Sequence, residues 1–146
     1  MIYTELTNKA MKIAYEAHHG QHDINGIPYV FHPYHVAEQM KDELSVCVAL
    51  LHDVVEDTEI TMDMLEKEFP AEVINALRLM THEKGTDYYE YIKKIRSNPI
   101  AKAVKLADIA HNSDFSRIVS ETPETDAKKE HWKEKYSKAL SILNEE

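Results

Sequence analysis

The sequence predicts an all-α fold. Only three glycines and five prolines occur among 146 residues, which is too few turn formers for a many-stranded sheet. Apolar residues recur at the spacing of one helix face over most of the chain. A chain of this length is about the size of one ordinary domain, so we expect a single domain over residues 1–146.

The first predicted helix begins at a cap of Thr4 or Thr7 and ends near His19. Gly20 follows as a residue that terminates a helix. Residues 21–30 contain Asn-Gly and a proline, and they are predicted to form the longest loop of the N-terminal half.

Pro33 suits the first turn of a second helix, which is predicted to run through Met40. A third helix is predicted from about Glu43 to Val55. Because its residues are apolar almost all round, we expect it to lie at the centre of the core. The single Cys47 lies within it and is expected to be a small buried hydrophobic side chain.

The second half of the chain continues the helical pattern. Its last segment is strongly amphipathic, and Trp132 and Tyr136 could pack against the chain's own core or against another subunit. Monomer and homodimer therefore both stay open. The predicted helices cover about 61–69, 71–80, 87–96, 98–113 and 126–143.

The charge balance excludes one class of partner. Seventeen basic and 26 acidic side chains give a formal net charge of −9, the wrong sign for binding duplex nucleic acid through its phosphates. A small anionic substrate would need a local positive charge, and the nine histidines suggest that a metal ion supplies it.

Neither a membrane span nor a secretion signal is apparent. No apolar stretch approaches the roughly 18–20 residues that cross a bilayer. The first residues lack the basic and apolar regions of a signal peptide, so we expect a cytoplasmic protein.

His52 and Asp53 are the strongest chemical signal. They are adjacent in an otherwise apolar helix, where burying two polar groups costs several kcal/mol unless something pairs them. Neighbours on a helix point about 100° apart, so a direct structural contact between them is the weaker alternative. Both side chains can instead reach one metal ion.

Glu56 and Asp57 follow one helical turn later. Each lies four residues after a member of the His52-Asp53 pair, which places four ionisable groups on one strip. The alternative is a solvated acidic helix end, but the helix dipole disfavours acids at a C-terminus.

Asp108, His111 and Asn112 share one face of another mostly apolar segment, and His32 precedes a proline at a helix start. Each of these signals is ambiguous alone. Two imidazoles and two carboxylates together form a mixed set that suits Mn²⁺, Fe²⁺ or Zn²⁺, with positions left for water. Such an ion would acidify a water and hold a phosphoryl oxygen, which predicts attack by water on phosphorus.

The pattern His32, His52-Asp53 and Asp108 resembles the signature of the HD-domain metal-dependent phosphohydrolases. Longer blocks over roughly residues 10 to 118 resemble the hydrolase domain of the bifunctional alarmone enzymes of the RelA/SpoT type and the small alarmone hydrolases. These blocks are AHHGQ at 17–21, GIPYVFHP at 26–33, VA at 36–37, LLHDVVEDT at 50–58 and VKLAD at 104–108, followed by HN at 111–112.

The resemblance implies a compact multi-helix HD-domain fold and one Mn²⁺ per chain, bound by His32, His52, Asp53 and Asp108. It also implies that Glu56 and Asp57 are the catalytic acidic pair and that Asn112 contacts a nucleotide. The family reaction removes pyrophosphate from the ribose 3′ position of guanosine tetra- or pentaphosphate. Lys105 and Asn25 are further candidates for substrate contact.

The chain departs from the alarmone enzymes where they contact the nucleotide. Asp23 and Ile24 stand where an Arg-Lys pair is usual, Ile109 replaces an arginine, and Asp114-Phe115 replaces an Arg-Thr pair. Base preference and the exact substrate therefore stay open. The alternatives are a nucleotidase or NADPH phosphatase of the HD class and a non-catalytic module that keeps a metal for structure.

Overall fold

The computed structural model describes residues 1–119 and 121–145, and it confirms the all-α fold. Within these residues the only strand-like feature is an isolated antiparallel bridge between His22 and Pro28. A short 3₁₀ helix, Phe115–Arg117, lies between the last two α-helices. The α-helices are α1 (Glu5–Ala17), α2 (Phe31–Glu38), α3 (Glu43–Leu51), α4 (Val54–Asp57), α5 (Met62–Glu66), α6 (Ala71–Met80), α7 (Tyr88–Arg96), α8 (Pro99–Asn112) and α9 (Pro123–Leu143).

The first helix uses both threonines that the sequence offers as caps. The Thr4 side chain accepts a hydrogen bond from the Thr7 N–H, and the Thr7 hydroxyl oxygen accepts one from the Thr4 N–H. The chain turns away at Gly20, whose φ of +89° is a conformation that glycine adopts without strain. The loop that follows leads into α2, whose first turn contains His32 and Pro33.

The predicted third helix is not continuous. α3 ends at Leu51, and the backbone makes a turn at His52 and Asp53 before α4 begins at Val54. His52 Nδ1 lies 2.6 Å from the Ala49 carbonyl oxygen, which in a continuous helix would accept the Asp53 N–H. The imidazole thus takes the place of a helix hydrogen bond, and the prediction of an uninterrupted helix to Val55 was wrong.

The last helix begins earlier than predicted, at Pro123 rather than near Asp126. Thr122 and Thr125 form a capping box there, and Pro123 occupies the first turn, where its missing N–H costs nothing. This start extends α9 by nearly one turn.

α3 lies at the centre of the molecule, as its apolar sequence predicts. It packs against α1, α2, α6 and α8, while α9 packs on α7 and α8. Cys47 is fully buried, which confirms its expected role as a small core side chain. None of the helices in the described part of the chain combines the length and hydropathy that a bilayer-spanning segment needs.

Candidate functional site

Four polar side chains from three separate segments converge at one end of α3. His32 comes from the first turn of α2, His52 and Asp53 from the turn between α3 and α4, and Asp108 from α8. His32, His52 and Asp108 are each at most 5% exposed. Their burial in a mainly apolar core requires that they satisfy one another or a ligand.

The donor atoms of this cluster lie close together. His32 Nε2 is 2.8 Å from Asp108 Oδ1 and 4.0 Å from Asp53 Oδ2. His52 Nε2 is 3.1 Å from Asp53 Oδ2 and 3.4 Å from Asp108 Oδ1. One ligand atom each from His32, His52 and Asp53 lie within 4.8 Å of one another, a spacing that could hold a metal ion.

The surroundings of the His52 imidazole suit a cation bound within this cluster. The Ala49 carbonyl can only accept a hydrogen bond, so His52 Nδ1 carries a proton and Nε2 is the ring nitrogen left to face the carboxylates. Burial opposes a charge on this imidazole, but Asp53 and Asp108 raise its pKa well above the usual range. That Nε2 is buried and forms no hydrogen bond, although carboxylate oxygens lie nearby. A buried imidazole nitrogen beside two carboxylates is a ligand set that a divalent cation would satisfy in place of a proton.

Asp53 is held by a residue that the sequence analysis did not single out as functional. The Tyr29 hydroxyl donates to Asp53 Oδ2, and the Tyr29 ring lies against the rings of His18 and His32. Burial alone would raise the pKa of Asp53, but the neighbouring His52 holds it at about 2. The sequence signal for Tyr29 is its place in the GIPYVFHP block at 26–33, three residues before His32.

Asp108 is held from within its own helix. Lys105 Nζ lies 2.9 Å from Asp108 Oδ2, and Asn112 Nδ2 donates to Asp108 Oδ1 at 3.1 Å. Burial alone would raise the pKa of this carboxyl, but Lys105 keeps it well below its usual range. Lys105 and Asn112, which the sequence offers as substrate contacts, therefore both contact a candidate metal ligand.

Glu56 and Asp57 line a cavity of about 640 Å³, which none of the four candidate metal ligands lines. The Glu56 carboxylate accepts a hydrogen bond from the backbone N–H of His82, and the Asp57 carbonyl accepts one from Gln21 Nε2 at 2.8 Å. Desolvation raises the pKa of both carboxyls, and the negative charge of Asp53 raises each further. Each pKa is thereby moved toward the range in which a carboxylate can take up a proton near neutral pH.

A cavity of about 300 Å³ opens beside the cluster. His32, Tyr29 and Asn112 line it on the side of the candidate ligands, and Asn25 lines it from the loop before α2. Trp132 and Tyr136 of α9 also line it, and Tyr136 packs against the core of its own chain. The other lining residues are His22, Asp23, Ile24, Asp114, Phe115, Arg117, Ile118 and Lys128.

Asp23 does not stand as an isolated acid in this cavity. Its Oδ1 accepts the N–H groups of Asn25 and Ile27 at 2.8 and 3.0 Å, which shapes the loop. Its Oδ2 lies 3.6 Å from Arg117 Nη2, so an arginine that the sequence analysis did not identify offsets its charge. Ile24, at the other departure from the alarmone enzymes, is 45% exposed.

Comparison with known proteins gives a consistent set of relatives. The guanosine-3′,5′-bis(diphosphate) 3′-pyrophosphohydrolase of Homo sapiens is 37% identical over 112 residues, which is 68% of this chain and 62% of that protein. The protein of the same name from Borreliella burgdorferi is 33% identical over 121 residues, which is 71% of this chain and 18% of that protein. A putative chloroplastic GTP diphosphokinase of Arabidopsis thaliana is 46% identical over 74 residues, which is 47% of this chain and 8% of that protein.

These relatives are longer than the chain, which spans less than two thirds of each. A solved structure described as a metazoan ortholog of SpoT that hydrolyzes ppGpp superimposes with a TM-score of 0.77 and 26% identity, covering 99% of this chain and 88% of that one. The family model for the HD domain matches residues 10–134, which is most of the chain. The chain therefore belongs to the HD domain family, which implies dependence on a divalent metal ion.

Proposed function

We propose that this chain is a nucleotide phosphohydrolase that removes the 3′-pyrophosphate from guanosine tetra- or pentaphosphate or the adenosine equivalents. The observation that carries the proposal is the buried His52 Nε2, which faces two carboxylates without a hydrogen bond. The names of the human and Borreliella relatives support this choice of reaction.

The proposed metal is one Mn²⁺ per chain, with His32, His52, Asp53 and Asp108 as its ligands. A mixed set of imidazoles and carboxylates suits this ion. When bound, the ion would supply a Lewis acid for a phosphoryl oxygen and lower the pKa of the attacking water. Lys105 and Tyr29 would hold the two aspartates in place, since each already contacts one of them.

Glu56 and Asp57 are the proposed acid-base pair. Desolvation and the charge of Asp53 raise the pKa of both, which suits carboxylates that accept a proton from water near neutral pH. The His82 N–H fixes the Glu56 side chain, so the proton acceptor is oriented before substrate binds.

The cavity of about 300 Å³ is the proposed nucleotide site. Asn25 and Asn112 would offer amide groups to the substrate, and the Trp132 ring would offer a surface on which a base can stack. Lys105 would contact a phosphoryl oxygen only on the Asp108 side of the cluster, because its ammonium group is held 2.9 Å from Asp108 Oδ2.

A phosphatase acting on a nucleotide monophosphate group, as in an NADPH phosphatase, is the second candidate. Asp23 and Ile24 favour it, because they remove the basic pair that the alarmone enzymes usually carry. The two reactions differ in their product. Pyrophosphate is released in the first and orthophosphate in the second.

The test measures both products from a nucleotide panel, with Mn²⁺ and after chelation. We expect the wild type to release pyrophosphate from guanosine tetraphosphate only with metal, and His52→Gln to release none. His19→Gln is the control, because His19 is an exposed histidine outside the cluster. Orthophosphate as the sole product would support the second candidate, and no release from any nucleotide would refute both enzymatic proposals.

The single domain over residues 1–146 and the cytoplasmic location stay predictions from the sequence. The choice between monomer and homodimer also stays open.

A further inference from the structure

Arg117 occupies an unusual position in the nucleotide cavity. It ends the 3₁₀ helix that follows α8, and its side chain lines the cavity while being 29% exposed. Its Nη1 donates to the His111 carbonyl at 2.9 Å, which ties the guanidinium to the helix that carries Asp108. Arg117 is thus fixed at the wall of the cavity rather than extended into solvent.

Positive charge is scarce around this cavity. Among the described residues that line it, the lysine and arginine side chains are Lys128 and Arg117. Arg117 lies beside Asp23, and Lys128 Nζ lies 3.4 Å from Glu124 Oε1. The whole chain carries a formal charge of −9. A nucleotide with several phosphates therefore depends strongly on these two cations.

The contact between Arg117 and Asp23 is an incomplete ion pair. Nη2 lies 3.6 Å from Asp23 Oδ2, which is beyond hydrogen-bond distance, and Asp23 Oδ1 already accepts the N–H groups of Asn25 and Ile27. A phosphate group can approach a guanidinium more closely and form two parallel hydrogen bonds with it. A phosphate would therefore be the better partner for Arg117.

We propose that Arg117 is a specificity-determining residue that binds a phosphate group of the nucleotide other than the one hydrolysed, and that this phosphate competes with Asp23 for the guanidinium. The inference rests on the proposed nucleotide site. The alarmone enzymes usually carry positive charge at the positions of Asp23 and Ile24. In this chain Arg117, on a different segment, would supply that charge instead. Asp23 then limits how tightly phosphate is held.

The test is equilibrium binding of guanosine 5′-diphosphate, measured calorimetrically with metal chelated so that no reaction takes place. Guanosine is the phosphate-free probe. The variants are Arg117→Gln, Arg117→Lys, Asp23→Asn and the double variant Arg117→Gln with Asp23→Asn. Asparagine keeps an oxygen for the two loop N–H groups and removes only the charge.

Arg96→Gln is the matched control. Arg96 also contacts a backbone carbonyl and a carboxylate, those of Ile142 and Glu145, and it is 34% exposed, but it lies outside the cavity. It carries the same charge change without the proposed contact.

We expect Arg117→Gln to weaken guanosine 5′-diphosphate binding about tenfold, since it removes a charge-assisted hydrogen bond. Arg117→Lys should retain part of the affinity, and Asp23→Asn should increase it about threefold. The effect of Asp23→Asn should vanish in the Arg117→Gln background. Guanosine binding and the Arg96→Gln variant should be unchanged.

Several results would overturn the proposal: no measurable binding of guanosine 5′-diphosphate to the wild type, equal affinity in wild type and Arg117→Gln, or an equal loss for guanosine. Persistence of the Asp23→Asn effect without Arg117, or an equal loss in Arg96→Gln, would also overturn it. Failure of the proposed hydrolysis is a separate result, because it is detected as absent product release by the wild type with Mn²⁺.

Discussion

His32 Nδ1 and His111 Nδ1 lie 2.7 Å apart, and the planes of the two imidazole rings differ by only 8°. Burial, followed by the charge of Arg117, lowers the pKa of His111 to about 4, so His111 is neutral at physiological pH. Without a cation, His32 Nε2 donates a hydrogen bond to Asp108 Oδ1 at 2.8 Å, since a carboxylate can only accept. Where a cation takes the place of that proton, a neutral His111 can accept the proton of His32 Nδ1, and the Nε2 lone pair would then be directed at the ion. His35 also stacks on His111, with the two ring centroids 4.1 Å apart.

Replacing His111 should weaken metal binding without removing a ligand. We predict that His111→Leu lowers Mn²⁺ affinity about 10- to 100-fold, because His32 loses the partner that fixes its tautomer. His111→Asn should bind far more tightly than His111→Leu, since an amide oxygen can accept the same hydrogen bond. Isothermal titration with Mn²⁺ measures both affinities, and wild-type affinity in His111→Leu would refute the orienting role.

Lys105→Met should destabilise the metal-free protein more than the protein with Mn²⁺ bound. Lys105 and Asp108 form an ion pair with side chains only 12% and 7% exposed, and removal of the lysine leaves the buried Asp108 Oδ2 without its cationic partner. We predict a loss of about 3 kcal/mol in the free energy of unfolding by urea with chelator present. The loss should be smaller with Mn²⁺, because the ion would neutralise Asp108.

The control for this measurement is Lys93→Met. Lys93 pairs with Glu90, but the two side chains are 49% and 60% exposed, so its loss should cost less than about 1 kcal/mol. Equal effects of the two substitutions would show that the Lys105 contact contributes no more than a surface pair.

Glu56→Gln should separate metal binding from turnover. The glutamine amide oxygen can still accept the His82 N–H, so the local structure is kept, but the side chain can no longer take up a proton. We predict an unchanged Mn²⁺ affinity and a kcat lowered by about 10²- to 10⁴-fold. Glu59→Gln, at another acid lining the same cavity, should retain the wild-type rate. A Glu56→Gln enzyme with wild-type kcat would exclude Glu56 as the base.

Cys47 should be unreactive in the native protein. Burial, with a smaller contribution from Glu43, raises the pKa of its thiol to about 12, so almost no thiolate forms below about pH 9. We predict no alkylation by iodoacetamide at pH 8 until denaturant is added, as measured by mass spectrometry. Rapid labelling of the folded protein would show that the centre of α3 opens to solvent.

Much of the fold follows from local sequence signals. Thr4 and the Asn98-Pro99 pair mark helix starts that the structure confirms. The break at His52 could not be predicted in the same way, because propensity favours a continuous helix over residues 43–55 and a side-chain contact with the Ala49 carbonyl overrides it. The early start of α9 was missed because threonine, rather than glutamate or glutamine, completes its capping box.

The candidate metal ligands could be recognised because their residue types and spacing carry the chemistry. The side chains that orient them could not be assigned that role, since such contacts depend on the tertiary arrangement. His111 and Tyr29 act on residues 79 and 24 positions away along the chain, and Arg117 approaches Asp23 only in the folded state. Nothing in the local sequence around Arg117 distinguishes it from a surface arginine.

Anomalous diffraction at the manganese absorption edge, from crystals grown with excess Mn²⁺, is the most direct test of the proposed metal centre. We predict one peak per chain within about 2.5 Å of a donor atom from each of His32, His52, Asp53 and Asp108. A map with no peak among these four side chains, or with manganese bound elsewhere, would contradict it.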